Sequence, residues 1–191
     1  MNEHIEIEYK ILLSQETFHR ILIYYQNQIT HDYIQTNYYL THPILNKKKY
    51  MLRVREKHNH FELTLKRPYQ NYLIETNVSL NSQEKEAILQ HQPLSNEITD
   101  ILEKDGIRIL DLECQFSLTT HRYDIPLKEG MLSLDDNTYL DQHDYELEFE
   151  VYHEKEGYAQ FLEIIQLFQL EYIQNCPSKI KRVLDTLKKE V

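Results

Sequence analysis

Charged and apolar residues alternate at the start of the chain, in Glu6-Ile7-Glu8-Tyr9-Lys10 followed by Ile11, Leu12 and Leu13. A period of two is that of a β-strand. Glu6, Glu8 and Lys10 then share one face, about 6.5–7 Å apart, while Ile5, Ile7, Tyr9 and Ile11 take the other. Further strands are expected at 31–40, 50–55, 61–66, 73–80, 112–123, 131–139 and 145–152. The second and third of these, with polar Lys57-His58-Asn59-His60 between them, predict a hairpin. Helical spacing appears after Ser14, at Phe18, Ile21, Leu22 and Tyr25, and over 154–172, at Phe161, Ile164, Ile165 and Phe168. Between 82 and 105 two helices are expected, one started by Ser82 and the other by Ser95-Asn96-Glu97, separated by Pro93. A last helix opens at Ser178, a natural N-cap, and runs to about 189. Thr41-His42-Pro43 and Lys47-Lys48-Lys49 read as a polar connection, and Pro126 and Gly130 bracket a turn. The elements add up to an α+β class and, at 191 residues, to one domain over 1–191.

The charged faces admit two readings. An ordinary half-buried strand leaves its charged face in water. Here, however, the pattern recurs. Arg53 and Arg55 share a face; so do Glu62, Thr64 and Lys66, Glu75 and Asn77, and then Glu146, Glu148 and Glu150. Cations gathered from neighbouring strands repel unless an anion or carboxylates lie between them. Three carboxylates on one strand likewise raise one another's pKa unless a cation screens them. Glu6, Glu8, Glu146, Glu148 and Glu150 supply the hard oxygen ligands that Mg2+ or Mn2+ requires, so a metal site is favoured.

Composition narrows the function. Tyr is abundant at 15 residues and Gly scarce at 3, which argues against Gly-rich phosphate loops. The formal charge of 21 − 31 = −10 disfavours a nucleic-acid partner. No apolar run approaches a membrane span and no signal-peptide core opens the chain, so neither a membrane partner nor export is expected. Cys114 and Cys176 stand far apart and read as free thiols, and the scattered histidines lack zinc spacing. A cytoplasmic location fits.

Glu6-x-Glu8-x-Lys10, Leu52-Arg53-Val54-Arg55, Leu63-Thr64-Leu65-Lys66, Arg122, Leu134-Asp135, Glu146-x-Glu148 and Ser178-Lys179-x-x-Arg182 occur in this order across nearly the whole chain. In this the sequence resembles the CYTH superfamily of triphosphate tunnel metalloenzymes, in particular the stand-alone proteins of Gram-positive bacteria. That group includes class IV adenylate cyclases, thiamine triphosphatases and inorganic triphosphatases. The resemblance implies an eight-stranded antiparallel β-barrel with a polar interior and helices packed outside. Lys10, Arg53, Arg55, Lys66, Arg122 and Lys179 would hold triphosphate oxygens, with Arg182 either joining them or anchoring its helix. Glu6, Glu8, Glu146 and Glu148 would hold one or two Mg2+ or Mn2+ ions, joined by Asp135 and, on the same face, Glu150. Glu6, Glu8, Lys66 and Glu148 would carry the catalysis.

The implied reaction is metal-dependent hydrolysis of a triphosphate, most simply inorganic triphosphate, with nucleoside and thiamine triphosphates as other substrates. A class IV-like adenylate cyclase and a non-catalytic polyphosphate- or nucleotide-binding module are the alternatives, and the protein would be a monomer or homodimer. One departure stands out. Where the family often has Tyr-Phe-Asp-Thr on the second strand, this chain reads Tyr38-Tyr39-Leu40-Thr41 and lacks the acid.

Overall fold

The computed structural model describes residues 3–70 and 72–188. Nine strand segments form: β1 (Glu3–Glu6), β2 (Glu8–Leu13), β3 (His31–Thr41), β4 (Met51–Lys57), β5 (His60–Tyr69), β6 (Tyr72–Leu80), β7 (Glu113–Leu127), β8 (Gly130–Tyr139) and β9 (Gln142–Val151). Six helices accompany them: α1 (Gln15–Tyr25), α2 (Pro43–Lys48), α3 (Ser82–Leu89), α4 (Glu97–Lys104), α5 (Glu154–Leu167) and α6 (Lys179–Leu187). The opening strand is broken at Ile7, so that β1 pairs with β6 while β2 pairs with β9. Counted as one interrupted strand, it brings the number to the expected eight. The side chain of Ile5, and the end of the last helix expected at 189, lie outside the described residues.

The chain is organised as two compact units. In the first, built from residues up to Glu6 and from Gln35–Leu118, the strand order is β1-β6-β5-β4-β3. The β1·β6, β6·β5, β5·β4 and β4·β3 pairs are antiparallel. One face of this sheet is apolar. Leu40, Leu52, Val54, Leu63 and Leu65, each at most 1 % exposed, pack against Ile88 of α3 and Ile98 and Leu102 of α4. Fully burying each such side chain contributes about 1.5–3 kcal/mol. Leu40, at the position where the family often has Asp, belongs to this core. A carboxylate there would need a partner that an apolar cluster does not supply.

The second unit, Ile7–Ile34 with residues from Thr119 on, orders its sheet β7-β8-β9-β2, again antiparallel. Ile11, Leu132, Leu134, Leu147 and Phe149 pack under Phe18 and Ile21 of α1 and Phe161 and Ile164 of α5. In both units, therefore, helices cover the apolar face, and the alternating charged side chains point away from that core.

Local chemistry accounts for where the elements begin and end. Ser14 caps α1, accepting from the Thr17 amide at 3.1 Å, and Ser178 caps α6 from the Lys181 amide. The hairpin between β4 and β5 turns on His58 and Asn59, both at positive φ, as a two-residue loop requires. Helix α3 begins at Ser82 as expected, with Asn81 as its cap, paired reciprocally with Glu84. Three expectations need correction. The polar connection at 41–49 contains α2, with Pro43 at its first position, His42 Nδ1 accepting from the Ile44 amide at 3.2 Å and Leu45 buried. Strand β7 runs to Leu127 instead of 123, with Pro126 opposite Met131 near the strand end where a missing amide is tolerated, and the turn that Pro126 and Gly130 bracket is Lys128-Glu129. Helix α5 stops at Leu167 instead of 172. Gln169 adopts φ 52°, and the Leu170 amide bonds the Ile165 carbonyl at 2.9 Å, a Schellman ending without its usual glycine. Among the described residues no helix is long and apolar enough to cross a membrane.

Candidate functional site

Register assembles the charged face of the second unit. Arg122 on β7 lies directly opposite Asp135 on β8, which lies opposite Glu146 on β9. In the adjacent row Ser133 faces Glu148, which faces Lys10 on β2. Directly opposed residues in an antiparallel pair project to the same side. The two rows therefore place these groups side by side. Arg122 donates through Nε and Nη2 to the two Asp135 oxygens, at 2.6 and 2.5 Å, and through Nη2 also reaches Glu148. This is the two-pronged geometry that suits guanidinium and carboxylate.

The first residue of α6 completes the group. Lys179 Nζ lies 2.8 Å from Asp135 Oδ2, 2.9 Å from Glu146 Oε1 and 2.7 Å from Glu148 Oε1. One oxygen from each of these three carboxylates lies within 4.8 Å of the others. Among the described residues it is the one His, Cys, Asp and Glu cluster with the spacing of a metal site. Asp135 and Glu146 are fully buried. Burial, helped by the charge of Glu148, pushes the Glu146 carboxyl above the usual carboxylate range, against the pull of Lys179. Burial acts the same way on Glu148, but Lys179 and Arg122 outweigh it and hold that carboxyl well below the range. Burial also opposes the charge on Lys179, yet Asp135, Glu146 and Glu148 together raise it well above an ordinary lysine.

The N-terminus of α6 is pinned to the same face. Arg182 donates to Asp144 from Nε at 2.9 Å and Nη2 at 3.1 Å, and from Nη1 to the Pro177 carbonyl at 2.7 Å; Nη1 also lies 2.5 Å from Glu146 Oε2. Asp144 accepts in addition from Tyr139 Oη at 2.8 Å and Asn137 Nδ2 at 3.1 Å. Of the two roles open to Arg182 in the sequence, these contacts are those of a helix anchor. The segment before α6 is tied to β2 as well. Asn175 accepts from the Lys10 amide at 2.8 Å and donates to the Glu8 carbonyl at 2.9 Å, and the Cys176 amide donates to the Lys10 carbonyl at 3.0 Å. Lys10 Nζ bonds Glu8. Burial of Lys10 opposes its charge, but Glu8 and Glu148 raise its pKa.

The first unit carries a second ionic group on its own charged face. Lys66 Nζ bonds Glu6 and lies 2.9 Å from Glu75 Oε2, while Asn77 Nδ2 donates to Glu75 Oε1 at 2.8 Å. Burial would raise the Glu75 carboxyl, but Lys66 and Arg53 bring it down to about 2. Arg55 donates from Nε to Asn37 Oδ1 at 3.1 Å. Arg53 is 7 % exposed, and its Nε is buried without a hydrogen-bond acceptor.

The sequence-derived residues thus divide. Glu6, Arg53, Arg55 and Lys66 lie in the first unit, and Glu8, Lys10, Arg122, Asp135, Glu146, Glu148, Lys179 and Arg182 in the second. Glu150 is exposed, opposite Glu8 in register and outside the carboxylate trio. Sequence reasoning assigned no role to Asp144, Asn175 or Glu75. Asp144 and Glu75 lie on the same alternation as the residues it did select, and that was the available signal. Asn175 acts from a loop, where no periodicity points to it.

The chain is similar to known proteins over nearly its whole length. The CYTH domain model matches residues 4–184. The Bacillus subtilis protein YjbK, whose name carries a provisional triphosphatase assignment, is 30 % identical over 193 residues, covering all of both chains. A Bacillus halodurans crystal structure, provisionally an adenylate cyclase, is 36 % identical with a TM-score of 0.87, covering 95 % of this chain and 98 % of that one. HpAC1 from Hippeastrum, described as a provisional adenylyl cyclase with a dominant triphosphatase activity, shares the fold at 17 % identity and a TM-score of 0.79, covering 95 % of this chain and 96 % of that one. With a family match running through both units and a full-length relative beside it, the chain belongs to the CYTH family.

Proposed function

We propose that this protein hydrolyses a triphosphate, most simply inorganic triphosphate, with Mg2+ or Mn2+ as cofactor. The observation that carries this reading is the largely buried mixed cluster of Arg122 and Lys179 with Asp135, Glu146 and Glu148. A buried ion network is a poor way to stabilise a fold, because desolvation offsets much of the attraction and apolar residues of similar size do as well or better. Its donor set suits a hard divalent cation: three carboxylates with an oxygen from each close together, and no sulfur or imidazole. Glu6 and Glu8 are the further candidate ligands. A divalent ion bound there supplies positive charge against the phosphate oxygens and lowers the pKa of water.

The chain's own groups do the rest. Lys10, Arg53, Arg55, Lys66, Arg122 and Lys179 are the candidate donors to phosphate oxygens. Arg53 has the clearest capacity, since its buried Nε lacks an acceptor that an anion would provide. Charge that develops on the leaving pyrophosphate is stabilised by these donors, held close to it by the elements that carry them. Water attacks the terminal phosphorus, the bridging P–O bond breaks, and orthophosphate and pyrophosphate leave. Glu6, Glu8, Lys66 and Glu148 are the residues proposed to carry catalysis. YjbK, with its triphosphatase assignment, supports this reading.

The provisional cyclase assignment of the 36 % identical Bacillus halodurans relative favours cyclisation of ATP as the second reading. One panel separates the two. Purified protein is incubated with inorganic triphosphate, ATP or thiamine triphosphate and either metal, and orthophosphate, pyrophosphate and cyclic AMP are measured. Orthophosphate from inorganic triphosphate, lost in Glu8→Ala and Lys66→Ala, supports hydrolysis. Cyclic AMP with pyrophosphate supports the cyclase. Inertness toward all three with both metals defeats the proposal.

A further inference from the structure

Lys179 occupies an unusual position. Its ammonium has three donors, and Nζ sits 2.7–2.9 Å from one oxygen each of Asp135, Glu146 and Glu148. These are the carboxylates whose spacing fits a cation. An ion ligated by them would need their oxygens at about 2.0–2.1 Å for Mg2+, which leaves no room for an ammonium at the same centre.

We propose that Lys179 is an exchangeable internal cation: it fills the divalent-ion seat among Asp135, Glu146 and Glu148 when that seat is otherwise vacant, and swings out to serve as a phosphate donor when the ion is bound. The inference rests on reading the trio as the metal seat. The anchoring of α6 says which part moves. Ser178 caps the helix, and Arg182 holds its first turn through Asp144 and the Pro177 carbonyl. The backbone stays docked, and the flexible four-carbon side chain of Lys179 makes the exchange. The arrangement sets a positive charge against the three carboxylates without metal. It also releases a positive charge toward substrate only once metal is in place.

The test needs no substrate, so it can fail or succeed independently of triphosphate hydrolysis. Mn2+ binding is measured by the loss of the free-ion EPR signal for wild type, Lys179→Met and Lys10→Met. If Lys179 fills the seat at least nine-tenths of the time, its removal tightens Mn2+ binding by about tenfold or more, even though the same variant loses phosphate release. Lys10→Met removes an equal charge from the same face without vacating the seat, so it tightens binding far less. In wild type, the Lys179 ammonium resonance followed by NMR shifts when Mg2+ is added alone. Unchanged or weaker Mn2+ binding in Lys179→Met, an equal gain in Lys10→Met, or a Lys179 resonance unmoved at saturating Mg2+ would each overturn the proposal.

Discussion

Asp144→Ala perturbs the network that fixes α6 on the sheet. The carboxylate accepts two bonds from Arg182, one from Tyr139 and one from Asn137. Removing one partner of a buried ion pair costs about 3–5 kcal/mol, because the other charge is left buried. Here Arg182 keeps Glu146 and the Pro177 carbonyl, and the Asp144 side chain is 18 % exposed. The expected loss therefore falls at or below the lower end of that range, about 2–3 kcal/mol. For a chain of this size each kcal/mol lowers Tm by about 2–4 °C, so a drop of about 4–12 °C follows. Urea unfolding gives the free energy, and amide exchange in α6 shows whether the loss is local. Asp144→Ala combined with Arg182→Met should cost less than the two single substitutions added, because no orphaned charge remains. A loss below about 0.5 kcal/mol, or strict additivity, would refute the account of Arg182 as an anchor.

Other consequences can be checked separately. Glu75 has a folded-state pKa near 2, below its unfolded value, so its ion-pair stabilisation is complete above about pH 4.5 and lost as pH falls toward 2. Glu75→Gln should flatten the acid limb of a stability-against-pH curve by up to about 2–3 kcal/mol. At Gly157 on α5 an added Cβ would lie 2.3 Å from the Val151 side chain. Gly157→Ala should accordingly destabilise by about 1–3 kcal/mol despite the better helix propensity of Ala, as read by denaturant midpoint. Arg122→Lys keeps the charge but loses the paired contact to Asp135, so triphosphate turnover should fall at least about tenfold while the fold, followed by circular dichroism, persists.

The sheet was legible because alternation is a local signal that tertiary packing reinforces. Leu52 and Val54 are buried and Arg53 and Arg55 lie on the opposite face, as the period of two requires. Direct opposition of Arg122 and Asp135 was not legible, since register depends on turns elsewhere. Pro126 continues β7 to a turn at Lys128-Glu129, and that turn sets the pairing. Helix α2 was missed because six residues give too little periodicity, and a histidine cap is a weak signal. The end of α5 was missed because Gln169 takes a left-handed conformation that glycine normally advertises. In the site, alternation selected Glu146, Glu148 and Glu150 together, but the same face of β9 also carries Asp144, and alternation alone cannot separate their roles. Asp144 pins α6, Glu146 and Glu148 face Lys179, and Glu150 is exposed. What divides them is where the N-terminus of α6 lands, a long-range contact that strand periodicity does not encode.

The most direct test of the central claim is a 31P NMR time course of inorganic triphosphate with Mg2+ and purified protein, run beside Glu148→Gln. The account predicts that the middle-phosphorus signal of triphosphate decays with wild-type protein as pyrophosphate and orthophosphate rise together, and that it persists with chelator or with the variant. A triphosphate spectrum unchanged by the wild-type protein, or decay that survives both chelation and Glu148→Gln, would contradict it.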